Sequence, residues 1–171
     1  EQNPNGRHIW PGNFTSRVGD RWKSEEIIGQ IMATRDQPGA SGNVHFSMAA
    51  FSQNRDGLFD KLKAGPYAEQ ALIPAMPWLA TEPFNVKPSL DAEREDDGTI
   101  SMNWSLQSQQ TAAWWVVYLQ SGDIWSYVIL PGGMTSYDLK PAEQLGTIDK
   151  IAVVAVDRCG QESPFVCVRL P

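Results

Sequence analysis

The chain has 171 residues, of which 42% are hydrophobic and 20% charged, with a formal net charge of −6. That length holds one domain or two small ones, and the composition excludes a disordered chain. No run reaches the roughly 20 apolar residues that a membrane helix needs; runs such as Ile151 to Val156 are strand-sized.

The charge is uneven: residues 1–85 hold 8 Lys/Arg against 9 Asp/Glu, and residues 86–171 hold 6 against 11. No basic patch stands out, so a nucleic-acid partner is not expected. Cys159 and Cys167 form neither a disulfide framework nor a metal-ligand spacing. The opening Glu1-Gln2-Asn3-Pro4-Asn5-Gly6 is not a signal peptide and has no initiator Met. The expectation is an excised piece of a longer protein. Seven Trp is the outlying count. Such rings either stack on sugars or fill a core.

Gly6 to Gly12 reads as a short strand running into a loop. Asp20 or Ser24 then caps a helix in which Ile27, Ile28, Ile31 and Met32 recur at helical spacing. Asp36-Gln-Pro-Gly39 stops it. Asn43 to Met48 is a second short strand. Leu58, Phe59 and Leu62 mark another helix, ended by Gly65-Pro66, and Pro66 suits the first turn of a further helix over Tyr67–Leu72. Two strands joined by a helix are parallel neighbours, and a parallel sheet needs both faces covered. Two strands cannot do that alone. Pro74 to Pro88 holds four prolines and predicts an extended connector. The boundary is placed there, giving domains 1–85 and 86–171.

The second part reads as all-β. Ile100, Met102, Trp104 and Leu106 alternate on one face of a half-buried strand. Asp96-Asp97-Gly98 turns back to a strand over Ser89–Glu95. Ala113 to Gln120 is apolar on both faces, leaving its inward side open. Strands over Ile124–Leu130, Thr135–Leu139, Ile148–Asp157 and Ser163–Leu170 follow. Seven short strands with regular turns predict a sandwich.

Trp104, the aromatic third strand, Leu139 and the run Ile151-Ala-Val-Val-Ala-Val-Asp157, with Gly160 and Ser163, resemble a fibronectin type III domain over residues 86–171. Ile151 stands where that family's corner tyrosine would be. Residues 6–80 resemble the glycosyl-hydrolase-like family 10 proteins, once grouped as domain of unknown function 187. The matching residues are His8-Ile-Trp-Pro-Gly-Asn13, Trp22, Glu26-Ile-Ile-Gly-Gln30, Arg35, Gly42-Asn-Val-His-Phe-Ser47 and Ala71-Leu-Ile-Pro-Ala-Met-Pro-Trp78. The resemblance implies an α/β remnant, the last two βα units of a TIM barrel, followed by an all-β fibronectin type III-like sandwich.

It also implies glycoside hydrolysis of an extracellular or cell-wall glycan, polysaccharide or peptidoglycan, by a secreted or periplasmic parent, lipid-anchored in one version. That chemistry takes two carboxylates flanking the scissile bond, at the C-terminal ends of barrel strands. Neither Trp10–Phe14 nor His45–Met48 contains Asp or Glu. The catalytic residues are therefore unknown and expected outside this chain, which is expected to be inactive alone. What remains is substrate holding. Trp10 and Phe14 offer apolar faces to a sugar ring, and Asn13, Arg17 and Ser47 offer hydrogen bonds. His45 is either a substrate contact or a structural histidine, and Trp10 either a platform or barrel core. Trp114, Trp115, Trp125 and Tyr127 form an aromatic set suited to glycan or to an interface. No metal site or cofactor is expected. The alternative reading is a non-catalytic carbohydrate-binding or structural sandwich. An incomplete barrel leaves open strand edges, so self-association is expected.

Overall fold

The computed structural model describes residues 3–143 and 146–170. Its contacts separate two compact units, Glu1–Pro74 and Ala75–Pro171. The sequence reading divides the chain later, at 85/86, because the prolines read as a free connector.

In the first unit, β1 (Gly12–Asn13) pairs in parallel with β2 (Val44–His45), Gly12 opposite Val44 and Asn13 opposite His45. An earlier parallel bridge joins Ile9 to Ala40. Between the strands runs α1 (Ser24–Arg35), and α2 (Ala49–Ser52) and α3 (Leu58–Ala64) follow β2. The expected order of strand, helix, strand, helix is therefore present. The spacing of Ile27 and Ile31 works as anticipated: both are fully buried, in one cluster with Val18, Ala50, Leu58 and Leu62. Each such side chain contributes roughly 1.5–3 kcal/mol through burial.

The helix N-terminus is held differently from the expectation. Neither Asp20 nor Ser24 is its cap. Asp56, on a remote turn, accepts the Ser24 backbone N–H at 2.8 Å and the Ser24 hydroxyl at 3.0 Å. The helix expected over Tyr67–Leu72 does not form; residues 65–67 make a turn and 68–69 a bend. A single helical turn has a costly nucleus, and Pro74 leaves no length in which to propagate it. The Arg35 guanidinium donates to the Pro66 carbonyl, tying that turn to the end of α1.

The second unit has the seven strands anticipated: β3 (Ser89–Arg94), β4 (Ile100–Ser105), β5 (Trp114–Ser121), β6 (Ile124–Pro131), β7 (Ser136–Leu139), β8 (Lys150–Val156) and β9 (Val166–Arg169). They form a three-stranded sheet in the order β3-β4-β7 and a four-stranded sheet in the order β6-β5-β8-β9. All pairings in both sheets are antiparallel. This is a β-sandwich. Its interior joins Ile100, Met102 and Trp104 of β4 to Trp115, Val117 and Leu119 of β5 and Ile151, Val153 and Ala155 of β8. That settles the inward face of β5. Val116, Val154 and Val156 are buried too, on the opposite side of the same sheet, so β5 and β8 are apolar on both faces.

Trp104 and Trp115 tilt against each other with ring centroids 6.0 Å apart. Their indole N–H groups donate to the Met134 and Gly132 carbonyls at 2.9 and 3.0 Å. Gly132 is required there, since a Cβ would sit 2.0 Å from the Ala112 carbonyl oxygen. Asp157 organises the turn after β8, accepting from the Cys159 and Gln161 backbone N–H groups at 2.7 and 2.8 Å. The proline-rich segment is strapped to this end of the sandwich. Met76 N–H donates to the Cys159 carbonyl at 2.7 Å, the Gln161 amide donates to the Glu82 carbonyl, and Phe84 inserts into the core.

Candidate functional site

The register of β1 and β2 decides where the singled-out side chains go. Asn13 is nearly fully buried and donates through Nδ2 to Gln30 Oε1 of α1 at 3.0 Å. His45 lies edge-on to Phe51 of α2, with ring centroids 5.1 Å apart. Its Nε2 lies 2.8 Å from the Tyr67 hydroxyl. Asn13 and His45 thus face the helices. Burial holds the His45 imidazole below its ordinary pKa and pushes the Tyr67 phenol up. Both side chains keep one buried polar atom, Asn13 Oδ1 and His45 Nδ1, without a hydrogen-bond partner.

Side chains alternate along a strand, so Val44 and Phe46 point the other way, and they are 52% and 65% exposed. Phe14, just past β1, tilts against Phe46 with ring centroids 5.5 Å apart. The Arg17 guanidinium carbon lies 5.1 Å from the Phe14 ring centroid. Hydroxyls stitch the two post-strand loops together. Thr15 Oγ1 donates to the Ser47 carbonyl at 3.0 Å, and Ser47 N–H donates to Ser16 Oγ at 3.1 Å. The Ser16 and Ser47 hydroxyls are 3.3 Å apart. Ser16 N–H donates to the Phe46 carbonyl at 3.0 Å. Beneath them, Arg55 Nη1 donates to the Ser16 carbonyl at 3.2 Å. These bonds join the two post-strand loops, which place Phe14, Phe46, Arg17 and Ser47 at the C-terminal ends of two parallel strands.

Trp10 does not join it. It precedes Asn13 by three residues, roughly 10 Å along a strand, and its indole donates to Ser41 Oγ at 2.9 Å. The structure therefore brings Phe14, Arg17 and Ser47 together, turns Asn13 and His45 to the helix side, and leaves Trp10 at the other end. Phe46 and Ser16 are additions. The signals for them were strand alternation after Val44 and the hydroxyl pair at matching offsets past the two strands.

In the sandwich, register puts Trp114, Tyr118, Trp125 and Tyr127 on the outer face of the four-stranded sheet. Trp125, Tyr127 and Trp114 are 48%, 39% and 38% exposed. Trp115 separates from them, buried in the core. Among the described residues, no group of three or more His, Cys, Asp or Glu side chains could hold a metal ion. No helix among them is long and apolar enough to cross a membrane. Cys159 and Cys167 are unpaired.

The first unit is thus a parallel strand–helix unit with an exposed aromatic patch at its strand ends, and the second is a β-sandwich. No family model matches the chain. Over 125 residues it is 30% identical to the glycosyl hydrolase YngK of Bacillus subtilis (strain 168), an alignment taking in 67% of this chain and 24% of that protein. The chain therefore spans about a quarter of the length of this curated relative. Among solved structures it is similar to a fibronectin type III domain of human collagen XX, at 17% identity and TM-score 0.41 over 58% of this chain and 99% of that one. It is also similar to an Fn3-like protein from Clostridium thermocellum, at 19% identity and TM-score 0.37 over 52% of this chain and 94% of that one. The glycoside hydrolase domain of Endo-D from Streptococcus pneumoniae R6 gives 19% identity and TM-score 0.35, over 52% of this chain and 15% of that one. At such TM-scores the sandwich assignment rests on its own strand order.

Proposed function

We propose that this chain is the C-terminal part of a glycoside-hydrolase-like protein, related to family 10 of that group, acting on extracellular or cell-wall glycan outside the cytoplasm. In this reading, the first unit supplies the last two βα units of a (β/α)8 barrel, and the sandwich is a non-catalytic companion. The supporting observation is the patch of Phe14, Phe46, Arg17 and Ser47 at the C-terminal ends of two parallel strands, where barrel active sites are built. The 30% identity to a named glycosyl hydrolase supports the same class.

Aromatic faces hold the C–H face of a pyranose, and hydroxyls and guanidinium groups meet its oxygens. Hydrolysis further needs an acid and a nucleophile or base. Phe14–Gly19 and Phe46–Gln53 contain no Asp or Glu, so these loops hold substrate and leave protonation to carboxylates elsewhere in the parent. The chain by itself is then expected to bind glycan oligosaccharides weakly and to release no new reducing ends from peptidoglycan glycan strands or from neutral polysaccharide. Reducing ends released in proportion to protein, and surviving repurification, would overturn this division of labour.

A second reading draws on the outer sheet face, where Trp125, Tyr127 and Trp114 are exposed together. There the sandwich itself grips glycan. Binding lost in Trp125→Ala and kept in Phe46→Ala would favour it over the strand-end patch.

A further inference from the structure

We propose that Arg17 makes the strand-end patch selective for sugars that carry a carboxylate; this rests on the glycan-binding reading above and names its substrate class. Arg17 lies over Phe14, whose ring centroid has both the Arg17 guanidinium carbon and the Phe46 ring within 5.5 Å. The ion pairs among the described residues join Arg21 to Asp20, Lys23 to Asp56, and Lys61 to Glu25 and Asp56. None uses Arg17. Its guanidinium makes no hydrogen bond to another described residue either, whereas Arg55 spends its donors on the Ser16 carbonyl and Gln53 Oε1.

Phe14–Gly19 and Phe46–Gln53 carry no acid, the nearby Asp20 is paired with Arg21, and Arg55 adds a second cation that donates to the Ser16 carbonyl. A guanidinium of a half-buried arginine, laid over one ring that packs on a second and ion-paired to no described carboxylate, is a receptor for an anion. Its planar fork fits a carboxylate in bidentate fashion, which a lysine does not. The neighbouring rings supply the apolar face for the sugar that carries the acid, and the Ser47 hydroxyl lies on the adjoining loop. Neutral glycans would meet the same rings but offer the guanidinium only uncharged oxygens, a weaker partner than a carboxylate.

The test is calorimetric titration of the full chain with glucuronosyl-glucose and with its neutral glucosyl-glucose counterpart, at low and at raised salt. The expected result is about tenfold tighter binding of the uronate, a preference worth roughly one charge-assisted hydrogen bond, which shrinks in salt. Arg17→Met is expected to bring the uronate down to the neutral sugar's affinity. Arg17→Lys is expected to restore only part of the preference. Equal affinities in the wild type, or a preference that survives Arg17→Met, would overturn the role of Arg17 while leaving glycan binding intact. Binding of neither sugar would overturn the glycan reading of the patch and this inference with it. Unchanged thermal unfolding in Arg17→Met separates a lost contact from a lost fold.

Discussion

Trp115 and Trp125 look alike in sequence, yet the sandwich makes opposite demands on them. Trp115 is 3% exposed and packs on Trp104, and its indole N–H donates to the Gly132 carbonyl at 3.0 Å. Replacing it with Phe removes that donor and leaves a partly buried carbonyl unpaired, a cost of about 1–3 kcal/mol. The lost five-membered ring leaves a void of about 40 Å³, adding ~1 kcal/mol at about 24 cal/mol per Å³. The expected loss is therefore roughly 2–4 kcal/mol, a large share of a domain's typical 5–15 kcal/mol. Trp125, 48% exposed on the outer face, should tolerate Phe within about 0.5 kcal/mol. Urea unfolding followed through the hydrogen exchange of β5 and β8 amides isolates the sandwich from the first unit. A Trp115→Phe loss below ~0.5 kcal/mol, or an equal loss in Trp125→Phe, would refute the assignment of core and surface.

Gly132→Ala should be among the most damaging single-methyl changes, costing ~3 kcal/mol or more because backbone rather than a flexible side chain must yield; thermal denaturation reads it. Acidification should loosen the first unit. The His45 pKa is lowered in the folded state, so the unfolded chain binds the proton first and stability falls as pH drops below about 6.5. His45→Gln should flatten that dependence in denaturation curves taken between pH 7 and pH 5. Asp56→Ala should fray the start of α1, seen as faster hydrogen exchange at its first turn, with β8 unaffected. The open edges of β1 and β2 should make the chain associate as concentration rises, which sedimentation velocity would detect; a strictly monomeric chain would count against an unfinished sheet.

The sandwich was legible because β3 and β4 alternate cleanly and its turns carry Asp-Asp-Gly, Ser-Gly-Asp and Pro-Gly-Gly. The inward faces of β5 and β8 were not, since both strands are buried on both sides. In the first unit, long-range choices hid the detail. The cap of α1 comes from Asp56, thirty-two residues away, and no local pattern announces it. The turn at Tyr67 is held by His45 and Arg35 rather than by helix formation. Residues with the right chemistry at strand ends were legible, but the side each one faces depends on register. That is why Asn13, read as a substrate contact, and His45, read as either a substrate contact or a structural histidine, meet the helices in the structure, while Phe46 joins Phe14 through strand alternation.

The central claim is that glycan meets this chain at the strand ends of the first unit. Nuclear magnetic resonance of the isotope-labelled chain, titrated with a soluble oligosaccharide, tests it most directly. The account predicts shifts concentrated at Phe14, Ser16, Arg17, Phe46 and Ser47, with Asn13 and Trp125 little changed. Shifts confined to Trp114, Trp125 and Tyr127, or none at millimolar sugar, would contradict it.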